Sequence, residues 1–163
     1  MIKNRGRRLR KTSLLREMIA DVNFSINDLV YPVFIEEDLE GKTAIQSMEG
    51  IYRLGEVELL KEVEECISLG VRAFLLFGIP NHKDCCGTEA YNPNGVIQKS
   101  VRLLKEKFND ILIITDVCMC EYTSHGHCGI LEGETLLNDE SAKLMAKIAL
   151  SHTQAGADIV APS

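Results

Sequence analysis

A chain of 163 residues is long enough to bury a real core, and 45% hydrophobic with 26% charged residues is ordinary for one folded domain. No apolar run approaches ~18 residues, which excludes a membrane-spanning helix, and the basic start lacks the apolar stretch of a secretory signal, so a cytoplasmic location is expected. Thiols stay reduced there, so six cysteines suggest metal or redox chemistry more than disulfides.

The net charge of −6 is unevenly spread. Residues 1–16, MIKNRGRRLRKTSLLR, hold seven of the eighteen Lys and Arg and no acid. A basic arm on an acidic body could bind nucleic acid. This arm has no aromatic residue for stacking and the body would repel phosphates, so it is expected to lie on an acidic surface of its own or a neighbouring subunit. Residues 1–27 are read as that arm and 28–163 as the folded body.

DLVYPVFIEE (28–37) reads as a short buried strand followed by acids. EVELLKEVEECISLG (56–70) has helical apolar spacing and ends at Gly70. VRAFLLFGIP (71–80) is a continuous apolar run, the mark of a strand buried on both faces. After a polar loop with Cys85 and Cys86, a helix is expected over 96–108 and a strand, ILIITDV, over 111–117. A last helix is expected over 138–157, with Asn138 or Asp139 as N-cap, before the terminal DIVAPS.

Strands near 29, 72, 111 and 158, alternating with helices, imply a parallel α/β sheet with right-handed crossovers. No G-x-G-x-x-G follows a strand, which weakens a dinucleotide-binding reading. Four strands are half of a (β/α)8 TIM barrel, which usually takes ~250 residues. A chain that stops on an uncovered apolar strand is expected to be truncated at the end of the fourth strand, with both outer strands unpaired.

Residues 113–129, ITDVCMCEYTSHGHCGI, carry Cys118, Cys120 and Cys128 with His125 and His127. In parallel α/β folds functional groups gather at the carboxyl ends of strands, where Cys118 and Cys120 fall. Their C-x-C spacing puts both thiols on one side of an extended segment, and Gly126 and Gly129 let Cys128 fold back. Three thiolates can then meet ~2.3 Å from one zinc ion. A histidine would close the shell as a structural site; without one, a position stays open for catalysis. Spacing alone does not choose. Asp116 could orient a ligand or a substrate amine, or only cap the loop.

The segment DVCMCEYTSHGHCGI resembles the zinc-binding segment of the porphobilinogen synthase (5-aminolevulinate dehydratase) family. RGRRLRKT, DLVYPVFIEE, SMEGIYRL, LLFGIP, KDCCGTEAYNPNGVIQKSVRLLK, LNDE and AGADIVAPS extend the resemblance along essentially the whole chain. It implies a TIM barrel with an N-terminal arm wrapping a neighbouring subunit, typically in a homo-octamer. The implied activity is condensation of two 5-aminolevulinate molecules into porphobilinogen, toward haem and other tetrapyrroles. It implies zinc on Cys118, Cys120 and Cys128, Asp116 beside it, and Ser163 and Ser124 lining the substrate pockets. His127 corresponds to a second metal position, and magnesium is implied at a second site formed outside this chain. The family's Schiff-base lysines are placed beyond residue 163, so the chain alone is expected to be inactive.

Two other readings stay open: a non-enzymatic zinc-binding or thiol-sensing half-barrel, and a metal-dependent aldolase. Cys85 and Cys86 are either oxidisable or inert loop thiols. Cys66 is read as core, His82 and His152 as surface residues, and Tyr91–Asn92 as a turn before a helix. Lys42 is placed in a polar loop.

Overall fold

Runs of Val, Ile, Leu and Phe form the centre of the molecule, in a computed structural model that describes residues 5–163. In chain order the elements are α1 (Ser13–Met18), β1 (Val30–Glu36), β2 (Lys42–Ala44), β3 (Tyr52–Leu54), α2 (Glu56–Ser68) and β4 (Ala73–Ile79). There follow α3 (Val96–Lys107), β5 (Leu112–Val117), β6 (Leu131–Glu132), β7 (Thr135–Leu136), α4 (Asn138–Ala155) and β8 (Ile159–Pro162). Six strands make one open, mostly parallel sheet in the order β2-β3-β1-β4-β5-β8. The four expected strands are β1, β4, β5 and β8.

The β2–β3 hairpin was not expected from the sequence. Its turn is closed by Met48 N–H to the Ile45 carbonyl at 3.0 Å and Ile51 N–H to the Met48 carbonyl at 3.1 Å. β3 then lies parallel to β1 at Phe34↔Arg53 and Ile35↔Leu54. One outer edge that was expected bare is therefore partly covered. Among the described residues β8 pairs with β5 alone.

Helices cover one face of the sheet. A Cβ on Gly78 would stand 2.6 Å from Ile97 and 2.8 Å from Val96, so that face of β4 meets α3 at closest approach. Phe74, Leu76, Ile113 and Val117 share it and are fully buried with Leu59, Val63, Val101, Leu104 and Ile148 from the helices. On the other face Phe34 stacks on Phe77 at 5.0 Å between ring centroids, and Leu75, Ile114 and Asp116 are half-buried. This corrects the expectation of burial on both faces for residues 71–80. Among the described residues the second face has no helical layer.

Other expectations also change. α4 has Leu137 at its N-cap with no side-chain bond, so neither Asn138 nor Asp139 caps it. Lys42 lies on strand β2 and not in a loop. His152 is fully buried, because it falls on the stripe Ser141, Ile148, His152, Ala155 that α4 turns inward. Its Nδ1 lies 3.0 Å from the Thr115 hydroxyl on β5. Cys66 is buried as expected.

Residues 5–28 form a 3-10 turn (Gly6–Arg10), α1 and a second 3-10 turn (Ile26–Asp28), none of which buries a side chain. The arm reading also takes in residues 1–4, which lie outside the described residues. No described helix is long and apolar enough to cross a membrane.

Candidate metal centre

β5 and β8 run in register, Asp116 opposite Ala161 and Val117 opposite Pro162, so their carboxyl ends finish together. Beyond Val117 the chain does not stay extended. The Met119 carbonyl accepts from the N–H groups of both Tyr122 and Thr123 at 2.9 Å, and the Met119 side chain is fully buried. This turn, rather than an extended C-x-C segment, brings Cys118 and Cys120 together, with their sulfurs 3.2 Å apart.

Cys128 returns through Gly126, which takes a left-handed φ of 73°. Gly129 serves differently. It has no positive φ, but a Cβ there would stand 2.5 Å from Leu136 and 2.6 Å from the Ser141 hydroxyl oxygen. That close packing seats Cys128 with its sulfur 3.1 Å from that of Cys118. The three sulfurs lie within 4.8 Å of one another, in a geometry that could hold one metal ion. Cys118 is buried, Cys120 half-buried and Cys128 exposed, so the cluster is reachable from one side.

Glu121 was not anticipated. Its carboxylate lies 3.2 Å from the Cys120 sulfur, and Asp116, Cys118 and Glu121 form a second group within metal-holding distance. The only sequence signal was an acid directly after C-x-C. The site disfavours negative charge. Burial, then the Cys118 contact and the Glu121 carboxylate, push the Cys120 thiol far up. Contact with Cys118, followed by burial, raises the Cys128 thiol. Burial and then Glu121 raise the Asp116 carboxyl, with the Ser163 hydroxyl acting the other way. A bound cation would reverse this balance, since three thiolates and two carboxylates are its natural counter-charges.

The other candidate residues stand apart. The exposed His127 is in neither group; its N–H meets His125 Nδ1 at 3.2 Å and its carbonyl accepts from the Thr123 hydroxyl at 2.9 Å. Exposed Ser124 uses its backbone N–H to reach the Asp84 carbonyl at 2.8 Å. Ser163 is exposed next to Asp116, its N–H 3.3 Å from the Val117 carbonyl.

Fold and site together define a mostly parallel α/β protein that gathers three cysteines able to hold a metal ion at the carboxyl ends of its strands, where barrel enzymes keep their chemistry. The chain belongs to the delta-aminolevulinic acid dehydratase family, whose model matches residues 3–163. It is 50% identical over 159 residues to the delta-aminolevulinic acid dehydratase of Methanothermus sociabilis, covering 98% of this chain and 49% of that one. With that of Bacillus subtilis it is 46% identical over 161 residues, covering 98% and 49%. A relative from Ruminiclostridium josui is 48% identical over all 163 residues and is covered to 79%. In structure it matches the Toxoplasma gondii delta-aminolevulinic acid dehydratase (porphobilinogen synthase), solved with the product porphobilinogen, at a TM-score of 0.94 and 37% identity. That match covers 99% of this chain and 47% of the other. The chain spans about half the length of most of these relatives, and its fold matches half of such a barrel.

Proposed function

We propose that this chain is the metal-binding half of a porphobilinogen synthase, which condenses two molecules of 5-aminolevulinate into porphobilinogen on the way to haem. The observation that carries the reading is the convergence of Cys118, Cys120 and Cys128 at the end of β5. Zinc is the metal we assign, because an all-sulfur set of three with one open side suits a soft, tetrahedral catalytic ion. Such an ion would supply Lewis acidity toward a substrate oxygen.

The chain's own residues set the geometry. Cys118 anchors the cluster in the core, and the Met119 turn fixes Cys120 beside it. Asp116 projects from the helix-free face of β5 next to Glu121, placed to accept hydrogen bonds from a substrate amine. Ser163 adds a hydroxyl at the same strand end, and Ser124 stands further out. We assign His127 and any magnesium to positions outside the sulfur cluster. Residues 1–27 form the arm for contacts with other subunits of a homo-oligomer, octameric if it follows the family. Six free thiols fit a reducing compartment such as the cytoplasm.

Metal content measured by mass spectrometry tests the assignment. The chain should bind one zinc, and Cys120→Ser should weaken it by more than the roughly 10–100-fold that losing a supporting partner costs. His127→Ala should leave it in place. Unchanged zinc in Cys120→Ser would refute the site.

A further inference from the structure

Cys85 and Cys86 take no part in the centre at the end of β5, yet their sulfurs lie only 3.5 Å apart. Cys85 is exposed and Cys86 half-buried. The loop that carries them is held at several points. The Asp84 carboxylate accepts from the N–H of Cys86 at 2.9 Å, from the N–H of Thr88 at 3.1 Å, and from the Thr88 hydroxyl. The Asp84 N–H donates to the Tyr122 carbonyl at 3.3 Å, the Asp84 carbonyl accepts from Ser124 N–H at 2.8 Å, and His125 Nε2 lies 3.3 Å from the Cys85 carbonyl. The pair is therefore fixed before any ligand arrives, which lowers the ordering cost of binding.

We propose that Cys85 and Cys86 form a second, bidentate thiol site that takes a trivalent arsenical as a cyclic dithiolate, separate from the three-cysteine centre. The sulfur separation favours chelation over a disulfide. A disulfide needs about 2.05 Å, and closing adjacent residues that far would strain a peptide whose N–H Asp84 already holds. Two sulfurs bonded to one pyramidal arsenic(III) at about 2.3 Å each, with an angle of about 95–100° between them, stand about 3.4–3.5 Å apart, close to the separation seen. The number of ligands favours the metalloid over zinc. Among the described residues the pair belongs to no group of three metal-type side chains, whereas zinc wants four ligands. Arsenic(III) that carries one carbon substituent needs only two sulfurs to complete its three bonds.

The chemistry balances without an oxidant. Two thiols condense with an organoarsenic(III) oxide: two arsenic–sulfur bonds form, and the oxygen leaves as water with both thiol protons. Arsenic stays trivalent.

The test is titration of the reduced chain with phenylarsine oxide, followed by tryptic digestion and mass spectrometry. Residues 84–99 form one tryptic fragment with Cys85 and Cys86 and no other cysteine, while Cys118, Cys120 and Cys128 share the fragment 108–143. The expected result is one arsenic on fragment 84–99 and binding at least about tenfold weaker in Cys85→Ser and in Cys86→Ser, since a single thiol loses the chelate advantage. An adduct confined to fragment 108–143, or equal binding by the Cys85→Ser/Cys86→Ser double variant, would overturn the proposal. The titration is run on the zinc-loaded chain as well as on the metal-free one, because free thiols at Cys118, Cys120 and Cys128 would themselves take up the arsenical, and the adduct on fragment 84–99 is expected in both.

Discussion

Cys128 sits where it does because Gly129 has no side chain. Gly129→Ala would force a methyl group to within 2.5 Å of Leu136 and 2.6 Å of the Ser141 oxygen, and Ser141 also accepts the Ile130 N–H at 2.9 Å. Overpacking of this kind costs ~1–3 kcal/mol. Gly129→Ala should therefore lower the urea midpoint and weaken metal binding, whereas Gly126→Ala, with nothing within 4 Å of its Cβ, should pay only for its left-handed backbone. Equal effects of the two substitutions would show that packing does not seat Cys128. At this scale the sequence was legible wherever chemistry is written in residue type. Three clustered cysteines behind a strand suggested a soft-ligand site, and Asp116 was singled out from its place at the strand end; the structure brings these side chains within reach of one another. Glu121 was not found, because an acid in a loop follows no period and only the Met119 turn brings it back to Cys120. Gly129 was read with Gly126 as allowing the turn that folds Cys128 back, but it takes no left-handed φ and instead packs closely against Leu136 and Ser141, a contact that residue type does not reveal.

Elements were legible where a period recurs over many residues. The stripes of α2 and α3 marked those helices to within two residues of their ends, and the apolar runs marked β1, β4, β5 and β8. The β2–β3 hairpin escaped because two strands of three residues carry too little alternation, and only pairing with β1 makes them strands. His152 could have been read correctly. It lies four residues after Ile148 and three before Ala155, on the buried face of α4, where the residue type was weighed above the position. Its Nε2 has no hydrogen-bond partner among the described residues, and burial lowers its pKa from 6.5 to about 4, with the Ala90 backbone only partly offsetting this. The unfolded chain therefore takes up this proton first. Stability contributed by neutral His152 is present above about pH 6.5 and is lost as pH falls toward 4. A tenfold change in proton affinity is worth about 1.4 kcal/mol, so the whole loss is on the order of 3 kcal/mol. Urea midpoints of the wild-type chain should fall over this window. Those of His152→Gln, which keeps a polar contact to Thr115 without a titrating group, should fall less steeply; parallel profiles would show that other groups set the acid sensitivity of α4.

At the scale of the whole molecule, half a barrel's worth of sheet carries surface that asks for cover. Leu14, Met18, Val22 and Phe24 in the arm are 73%, 79%, 83% and 75% exposed, and β8 has a free edge among the described residues. The 163-residue chain should accordingly self-associate at micromolar concentration, and a monodisperse monomer by light scattering would contradict this. Association should still not yield catalysis. Under the proposed function, substrate is held through Schiff bases, which need a lysine projecting from a strand end into a site dry enough to lower its pKa. The described lysines do not meet this requirement. Lys11 lies in the arm, Lys42 on the exposed hairpin, and Lys61, Lys99, Lys105, Lys107, Lys143 and Lys147 on helices. Of these, Lys105 is engaged with Asp158 at 2.5 Å and Lys147 lies over the Tyr91 ring at 3.7 Å. Lys83 follows a strand, β4, but is exposed. A metal on the three thiols could polarise an oxygen, yet holding two substrates in register is an orientation effect worth up to ~7–11 kcal/mol. Zinc-treated chain incubated with 5-aminolevulinate should therefore form no pyrrole, and borohydride should trap no imine. A trapped adduct on Lys83 would place the catalytic amine in the β4 loop beside Cys85 and Cys86, and that loop would then have to be read as part of the active site.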